Sequence, residues 1–237
     1  MSSLLSTRVG MRWIPGEKNE PTDTMVMNLG GWFIDLRIVK DNGSIDWAMA
    51  GQRQTLSETP LTFKWTHWID SRGSTEPDIG SFQPGSLVTD SIETGSMVNP
   101  ETGLLTPYEE TWRSLVPVGR EHFSKAWILR SEDGKTFLGK IGGDFIGLQG
   151  GEGPGSSLGF CATRESWDKT RNSWTTLYQI GERSGLESLP CMSSYFHGGK
   201  GQLEWEGTCK DGDTVEAFGK TYIVCAIEEL GKDTTNV

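Results

Sequence analysis

Residues 61–70, with the sequence LTFKWTHWID, place aromatic rings and a histidine in one short segment. If this segment is a β-strand, alternate side chains share a face, so Phe63, Trp65, His67 and Ile69 point one way and Trp68 points the other. The first set is the more apolar, and we expect it to face the interior. There His67 is either a hydrogen-bonded core residue or a proton-transfer group beside a cavity, because its ordinary pKa suits acid–base chemistry.

Other residues with suitable chemistry are spread over both halves of the chain. Tyr108 and Trp112 fall on one predicted strand, Trp174 and Tyr178 fall on another, and His197 lies in a predicted loop that could border a pocket mouth. Ligand pockets are mostly apolar and aromatic with a few polar groups. The candidate catalytic residues are therefore His67, Tyr108 and Tyr178. The candidate substrate-binding residues are Phe63, Trp65, Trp112, Trp174 and His197.

Several other kinds of chemistry find no support in the sequence. There is no G-x-S-x-G motif, and the four cysteines form no C-x-x-C pair and no zinc-ligand spacing. We therefore expect neither a metal nor a cofactor. Glu109 and Glu110 must point to opposite faces of a strand, so they do not form a glycosidase pair. Cys209 and Cys225 could face each other across a hairpin, which leaves a disulfide open.

Charge and hydropathy limit the partners and the location. The net charge of −10 argues against nucleic acid, because phosphate binding needs a basic surface. No segment approaches the roughly 18–20 consecutive apolar residues of a membrane-spanning helix. The N-terminal residues contain no long apolar run typical of a secretion signal, so we expect a cytoplasmic protein.

The elements that must position these residues are predominantly β-strands. The chain has 31 glycines and 10 tryptophans, and most of its apolar segments alternate with polar residues. Residues 32–39 place Trp32, Ile34, Leu36 and Ile38 on one face. An Asn42-Gly43 turn follows, which predicts a hairpin with a return strand over residues 45–50. On that strand we expect Ile45, Trp47 and Met49 to share a face.

The second half repeats this arrangement of strands and turns after a break at residues 116–119. We predict strands over residues 125–130, 136–141, 144–148 and 172–180, and a short helix over 164–170. A final hairpin is predicted from strands over 203–209 and 221–227, with its turn at Asp211-Gly212. These patterns indicate an all-β fold with domains at residues 1–119 and 120–237, arranged as two barrels or as one elongated sandwich.

Four segments in this order, WFIDLRIVK, IDWAMAG, WTHWIDS and YEETWRSLVP, resemble the fungal HRI-type protein family over about residues 25–148. The resemblance implies two consecutive antiparallel lipocalin-like (calycin-like) β-barrels with little helix. The best-known protein of the family is named for its interaction with a casein-kinase-like kinase and has no established enzymatic activity.

Two functional hypotheses follow. In the first, the chain is a cofactor-free enzyme of fungal secondary metabolism that binds a small hydrophobic polyketide or terpenoid. It would catalyse a cyclisation or a hetero-Diels–Alder cycloaddition, with or without dehydration, as a resemblance to the fungal biosynthetic hetero-Diels–Alderases would imply. Holding reactants as near-attack conformers can supply about 7–11 kcal/mol. In the second, it is a non-catalytic protein that carries a lipophilic ligand or docks a kinase, and a homodimer is left open. An open cavity of roughly 300 Å³ or more would favour the first hypothesis.

Overall fold

The computed structural model describes residues 4–151, 159–181, 189–196 and 203–231, and these are almost entirely antiparallel β-structure. The first eight strands are β1 Leu5–Trp13, β2 Thr22–Leu29, β3 Trp32–Val39, β4 Ile45–Glu58, β5 Leu61–Asp70, β6 Asp78–Pro84, β7 Asp90–Val98 and β8 Leu105–Ser114. The other seven are β9 Lys125–Ser131, β10 Thr136–Ile141, β11 Asp144–Gln149, β12 Cys161–Asp168, β13 Ser173–Ile180, β14 Thr214–Ala217 and β15 Lys220–Glu229. Between β13 and β14 lie a short helix, α1 (Met192–Tyr195), and a 3₁₀ helix (Glu204–Gly207).

Strands β1–β8 form a closed antiparallel barrel, called the first barrel below, in which each strand pairs with the next and β8 returns to β1. The β3–β4 hairpin is present as predicted, with Gly43 at a φ of +71°. The pairing register shifts between Arg37 and Ile38, because β4 carries an extra residue at this point. The expectation that Ile45 shares a face with Trp47 is therefore wrong: Ile45 packs outside the barrel, whereas Trp47 lines its interior.

Strands β9–β15 form a second sheet in the order β13-β12-β11-β10-β9-β15-β14, which is consistent with the expected second barrel. The chain is thus all-β, with one closed barrel followed by a seven-stranded antiparallel sheet. Strand β8 ends at Ser114 and β9 begins at Lys125, and the domain division at Gly119 stays a prediction. In the described ranges, neither helix has the length and apolar character needed to cross a membrane.

Three local predictions for the second half are wrong. The helix expected at 164–170 is mostly strand β12, because hydrogen bonds to both β11 and β13 outweigh any local helical preference. The strand expected at 203–209 is the 3₁₀ helix, and the final hairpin instead turns at Phe218 and Gly219, which both have positive φ angles. Cys209 consequently does not lie on the strand that pairs with β15, and it forms no disulfide with Cys225.

The main apolar core lies between the outer face of the first barrel and the second sheet. Ile34, Leu36 and Ile38 of β3 belong to the same buried cluster as Ile128 and Phe137 of the second sheet. Since alternate residues point to opposite faces, Phe33, Asp35 and Arg37 must face the barrel interior. The first barrel therefore buries its most apolar surface on the outside.

Trp68 marks the edge of this seam between the two units. Its ring centroid lies 5.5 Å from that of Trp32 and 6.3 Å from that of Phe137 of β10. The guanidinium of Arg130 stacks 4.8 Å from the same ring. Trp68 thus points away from Trp65 and His67, as the strand alternation predicts. The expectation that Ile69 shares the face of His67 is wrong, because β5 carries an extra residue at Trp68 and Ile69 packs in the core outside the barrel.

Candidate functional site

A cavity of about 520 Å³ occupies the interior of the first barrel. Three aromatic rings of one wall contact each other, with centroid distances of 5.9 Å for Phe63–Trp65, 5.5 Å for Phe63–Phe82 and 6.0 Å for Trp65–Phe82. The other aromatic residues that line the cavity are Phe33, Trp47, Tyr108 and Trp112. These side chains supply an apolar surface for the body of an organic molecule.

The cavity is open at the end of the barrel that carries the β4–β5 and β6–β7 turns. Glu58 and Leu61 from the first turn line it, together with Pro84 and Val88 from the second. Val88 is fully exposed although it borders the cavity. A ligand therefore has a path between these two turns.

Charged side chains project into the same interior from three strands. Arg37 of β3 forms ion pairs with Asp35 at 2.8 Å and with Glu110 of β8 at 3.3 Å. Arg8 of β1 binds Glu110 from the other side and also binds Glu20 at 2.7 Å. Burial disfavours the charge on Arg37, but Asp35 and Glu110 outweigh this effect and raise its pKa well above the ordinary value.

Glu93 of β7 lies beside this network and is only 6% exposed. One carboxylate oxygen accepts a hydrogen bond from the hydroxyl of Tyr108 and the other accepts one from the indole N–H of Trp112, both at 2.8 Å. Burial and the nearby charge of Glu110 raise the pKa of Glu93 to about 8. Burial and the charge of Glu93 in turn raise the pKa of Tyr108.

Two glycines make room for these polar groups. Gly80 of β6 pairs with Gly95 of β7, which pairs in turn with Tyr108 of β8. A Cβ atom on Gly80 would lie 2.2 Å from a carboxylate oxygen of Glu93, and one on Gly95 would lie 2.6 Å from the hydroxyl oxygen of Tyr108. The space that side chains would fill in a packed barrel is thus given to the carboxylate and the phenol.

His67 is buried next to the cavity but does not line it. Its side chain is 1% exposed, and the rings of Phe33 and Trp47 meet it edge-on at 6.0 and 6.2 Å. Nδ1 lies 2.8 Å from Asp70 and Nε2 lies 3.3 Å from Asp78. Both contacts are ion pairs when the imidazole is protonated.

Burial lowers the pKa of His67, but the Asp70 and Asp78 carboxylates outweigh burial and raise it to about 9. The imidazole is therefore positively charged near neutral pH. Asp78 both contacts His67 and lines the cavity, so it is the link between them. The indole N–H of Trp47 also donates to Asp70 at 3.0 Å. These residues lie toward the end of the barrel opposite the two turns.

The structure brings together half of the candidate site residues. Phe63, Trp65, Tyr108 and Trp112 line the cavity, and their proposed roles stay predictions. His67 lies behind the cavity wall, in contact with Asp78. His197 falls outside the described residues.

Trp174 and Tyr178 lie outside the cavity, because they belong to the second sheet. Trp174 packs in that sheet's own core, 5.4 Å from Phe123 and 5.8 Å from Trp167. Tyr178 donates a hydrogen bond at 2.8 Å to Asp23 of β2, at the seam between the two units. The roles proposed for these two residues therefore stay predictions, and they do not concern the cavity of the first barrel.

Sequence reasoning missed the charged half of the site, formed by Asp35, Arg37, Glu93 and Glu110. One signal was present: Asp35 and Arg37 alternate with Ile34 and Leu36 on a strand whose two faces are both buried. Glu93 has no comparable signal, since its neighbours Ser91, Ile92 and Thr94 form no recognisable pattern. Within the described ranges, no group of three or more His, Cys, Asp or Glu side chains is arranged to hold a metal ion.

Comparison with known proteins places this barrel in a family. The family model described as Protein HRI1 matches residues 4–215. The chain belongs to the HRI1 family. Its fold also matches the crystal structure of an uncharacterised protein from Saccharomyces cerevisiae, with a TM-score of 0.67 and 16% sequence identity over 96% of this chain and 98% of the yeast chain. No curated protein matches the sequence. At 16% identity, the likeness to the yeast structure supports the fold of this HRI1 family member and nothing about its ligands.

Proposed function

We propose that the first barrel binds a small, largely apolar organic molecule in its interior. The observation that carries this proposal is the cavity itself, since its volume of about 520 Å³ falls within the range of about 300–1,000 Å³ that is typical of ligand pockets. Eight-stranded barrels can fill their interior with their own side chains or leave space for one ligand. Here Gly80 and Gly95 make room for the Glu93 carboxylate and the Tyr108 hydroxyl, which give the cavity its polar groups.

A neutral, apolar fluorescent dye such as Nile red tests this proposal without knowledge of the natural ligand. Ser91 lines the cavity, whereas its neighbour Ile92 lies on the opposite face of β7. We expect Ser91→Phe to weaken dye binding at least about tenfold by occupying the cavity, and Ile92→Phe to leave it unchanged. Equal dye binding by wild type and both folded variants would place the dye elsewhere and count against the cavity as a binding site.

A second candidate function is catalysis of a cyclisation or cycloaddition on the bound molecule. It is favoured by the Tyr108 hydroxyl, which lies in an aromatic interior that also contains Trp65 and Trp112. Such reactions depend mainly on positioning and on exclusion of water. The Tyr108 hydroxyl could polarise a substrate carbonyl by exchanging its hydrogen bond to Glu93 for one to the substrate. His67 would influence this chemistry only through Asp78, because it does not line the cavity.

Product formation separates catalysis from binding. Purified protein is incubated with a metabolite extract from a strain that lacks the gene, and products are compared with those of an untreated extract. Catalysis predicts a new product or a changed stereochemical ratio, which is lost in Trp65→Ala and reduced in Tyr108→Phe. An unchanged extract, with dye binding intact, would leave carriage of a lipophilic ligand or docking of a kinase as the function.

A further inference from the structure

The carboxylates of the first barrel outnumber its cations. Arg8 bridges Glu20 and Glu110, and Arg37 bridges Asp35 and Glu110, so both arginines are fully engaged. Glu93 is the remaining buried carboxylate. Among the residues that the structure describes, no arginine, lysine or histidine forms an ion pair with it. A buried charge without an ion-pair partner is unfavourable, so a cationic group of a ligand would stabilise the ionised form of Glu93.

We propose that the cavity takes a molecule with a positively charged amine or quaternary ammonium group, which lies beside Glu93 while its apolar part contacts the aromatic wall. This inference rests on the proposed function, because it names the class of ligand that the same cavity binds. It concerns the charge of the ligand and does not depend on whether the ligand is transformed.

The geometry around Glu93 suits a cation. Each carboxylate oxygen uses one lone pair to accept from Tyr108 or Trp112 and keeps another for a ligand. Phe82 lies directly opposite Glu93 in the β6–β7 register, and its ring contacts those of Phe63 and Trp65. Aromatic faces attract ammonium groups by about 0.5–2 kcal/mol, so the carboxylate and this wall act together.

The other charged groups argue against an anionic ligand. Tyr108 and Glu110 of β8 face Glu93, as do Asp35 and Arg37 of β3, while Asp78 of β6 and Arg53 of β4 line the same cavity. An added anion would meet these carboxylates, and Arg37 is already held by two of them. Burial and the charge of Glu110 raise the pKa of Glu93 to about 8, because the more distant charge of Arg37 compensates the Glu93 charge only in part.

The test uses three probes of similar shape. Benzyltrimethylammonium carries a permanent charge, neopentylbenzene is its uncharged isostere, and pivalophenone is a neutral ketone that can accept a hydrogen bond. Because the first probe does not titrate, the pH dependence of its affinity reports on the protein. We expect it to bind more tightly than the isostere and to gain about tenfold in affinity between pH 7 and pH 9, as Glu93 loses its proton.

Two matched variants assign this dependence to Glu93. Glu93→Gln removes the charge and keeps a side chain of the same shape, whereas Glu109→Gln makes the same change on the outer face of the neighbouring strand, where Glu109 binds Arg12 and Lys18. We expect Glu93→Gln to weaken binding of the cation at least about tenfold and to abolish most of its pH dependence. Glu109→Gln should behave as wild type. The wild-type pH profile stands as a test even if Glu93→Gln fails to fold.

Three outcomes would overturn the inference. Pivalophenone binding more tightly than the cation, and weakening above pH 8, would show that protonated Glu93 donates to a carbonyl. Equal binding of the cation and its isostere at pH 9 would show that the charge is not recognised. If neither these probes nor Nile red bind, both the inference and the proposed function fail. If Nile red binds but the protein shows no preference for the cation, only the inference fails.

Discussion

The two β-units of this chain both bury tryptophans and charged side chains, but they arrange them differently. In the first barrel, Trp47, Trp65 and Trp112 border an open cavity. In the second sheet, Trp127 and Trp174 belong to one buried apolar cluster and do not line the first-barrel cavity. Sequence composition is therefore a poor guide to which tryptophans line a cavity and which are packed in a core, since both units are rich in aromatic residues.

The buried charges show the same difference. A buried ion pair joins the second sheet to the 3₁₀ helix, where Lys140 lies 3.1 Å from Glu206 and both side chains are at most 2% exposed. Trp127 donates to the same carboxylate at 2.8 Å. Both charges of this pair are matched. Another buried carboxylate of the same sheet, that of Glu165, has no ion-paired cation among the described residues, but it accepts hydrogen bonds from Met192, Ser193 and Thr176. Glu93 has only two neutral donors, and it lies beside a cavity. We infer that fully satisfied carboxylates support the fold and that the lone pairs left free on Glu93 reserve a place for a ligand.

The largest expected effect on stability comes from replacing a buried glutamate by glutamine in each unit. Glu206→Gln leaves the Lys140 ammonium buried without its partner, which should cost about 3–5 kcal/mol in the free energy of unfolding. Glu93→Gln at pH 8 should cost far less, because it removes an uncompensated charge. Urea denaturation measures both values, and Glu204→Gln, an exposed change in the same 3₁₀ helix, is the control. Similar losses for Glu206→Gln and Glu93→Gln would remove the distinction between the units.

Tryptophan truncation should separate stability from binding. Trp174→Ala removes a side chain that is 6% exposed and packs against Phe123 and Trp167, so we expect a loss of about 3–5 kcal/mol. Trp65→Ala enlarges an existing cavity at a partly exposed position and should cost less than half of that. Ligand affinity should follow the opposite order. Weaker ligand binding by folded Trp174→Ala than by Trp65→Ala would contradict this assignment.

The stability of the first barrel should fall as pH rises, for two reasons. The folded-state pKa of His67, about 9, exceeds its ordinary value of 6.5, so its contribution is complete below pH 6.5 and is lost as pH rises through 9. Glu93 is favoured in its neutral form, so its contribution is lost as pH rises through 8. The His67 effect alone is on the order of 2–3 kcal/mol.

Urea denaturation between pH 6 and pH 10 separates these two groups. Above pH 8 most of the remaining slope belongs to His67, so His67→Gln should flatten the curve there. Glu93→Gln should flatten it mainly between pH 5 and pH 8. A wild-type curve that rises from pH 7 to pH 9 would show that folding raises the pKa of neither His67 nor Glu93.

The smallest expected effect concerns the space that glycine provides. Gly80→Ala places a methyl group where the Glu93 carboxylate lies, and such overpacking costs about 1–3 kcal/mol. Because the carboxylate must move, the variant should also weaken binding of benzyltrimethylammonium. Gly207→Ala, which meets no atom within 4 Å, is the matched control. Full retention of probe affinity in Gly80→Ala would mean that the position of Glu93 is unimportant for binding.

Local patterns were sufficient to predict the β3–β4 hairpin and the face of β5. Asn42-Gly43 determines the turn, and alternation places Phe63 and Trp65 together with Trp68 on the other side. These features depend only on near neighbours in the chain. The same reasoning holds for most strands, because their turns contain glycine at positive φ.

The choice of interior face could not be predicted in this way. The alternation rule assigns the apolar face of a strand to a core, but it does not say which core. Here Ile34 and Leu36 pack against the second sheet, so Asp35 and Arg37 turn inward. Similarly, the extra residue in β4 separates Ile45 from Trp47 although their spacing is two. Both outcomes depend on contacts between distant segments.

Fluorine NMR of protein labelled with 5-fluorotryptophan tests the central claim most directly. Each tryptophan gives one resonance, which can be assigned by replacement with phenylalanine. Saturation with benzyltrimethylammonium at pH 9 should shift the resonances of Trp47, Trp65 and Trp112 and leave those of Trp127 and Trp174 unchanged. Shifts confined to the second sheet, or no shifts at a probe concentration that saturates binding, would contradict the assignment of the ligand site to the first barrel.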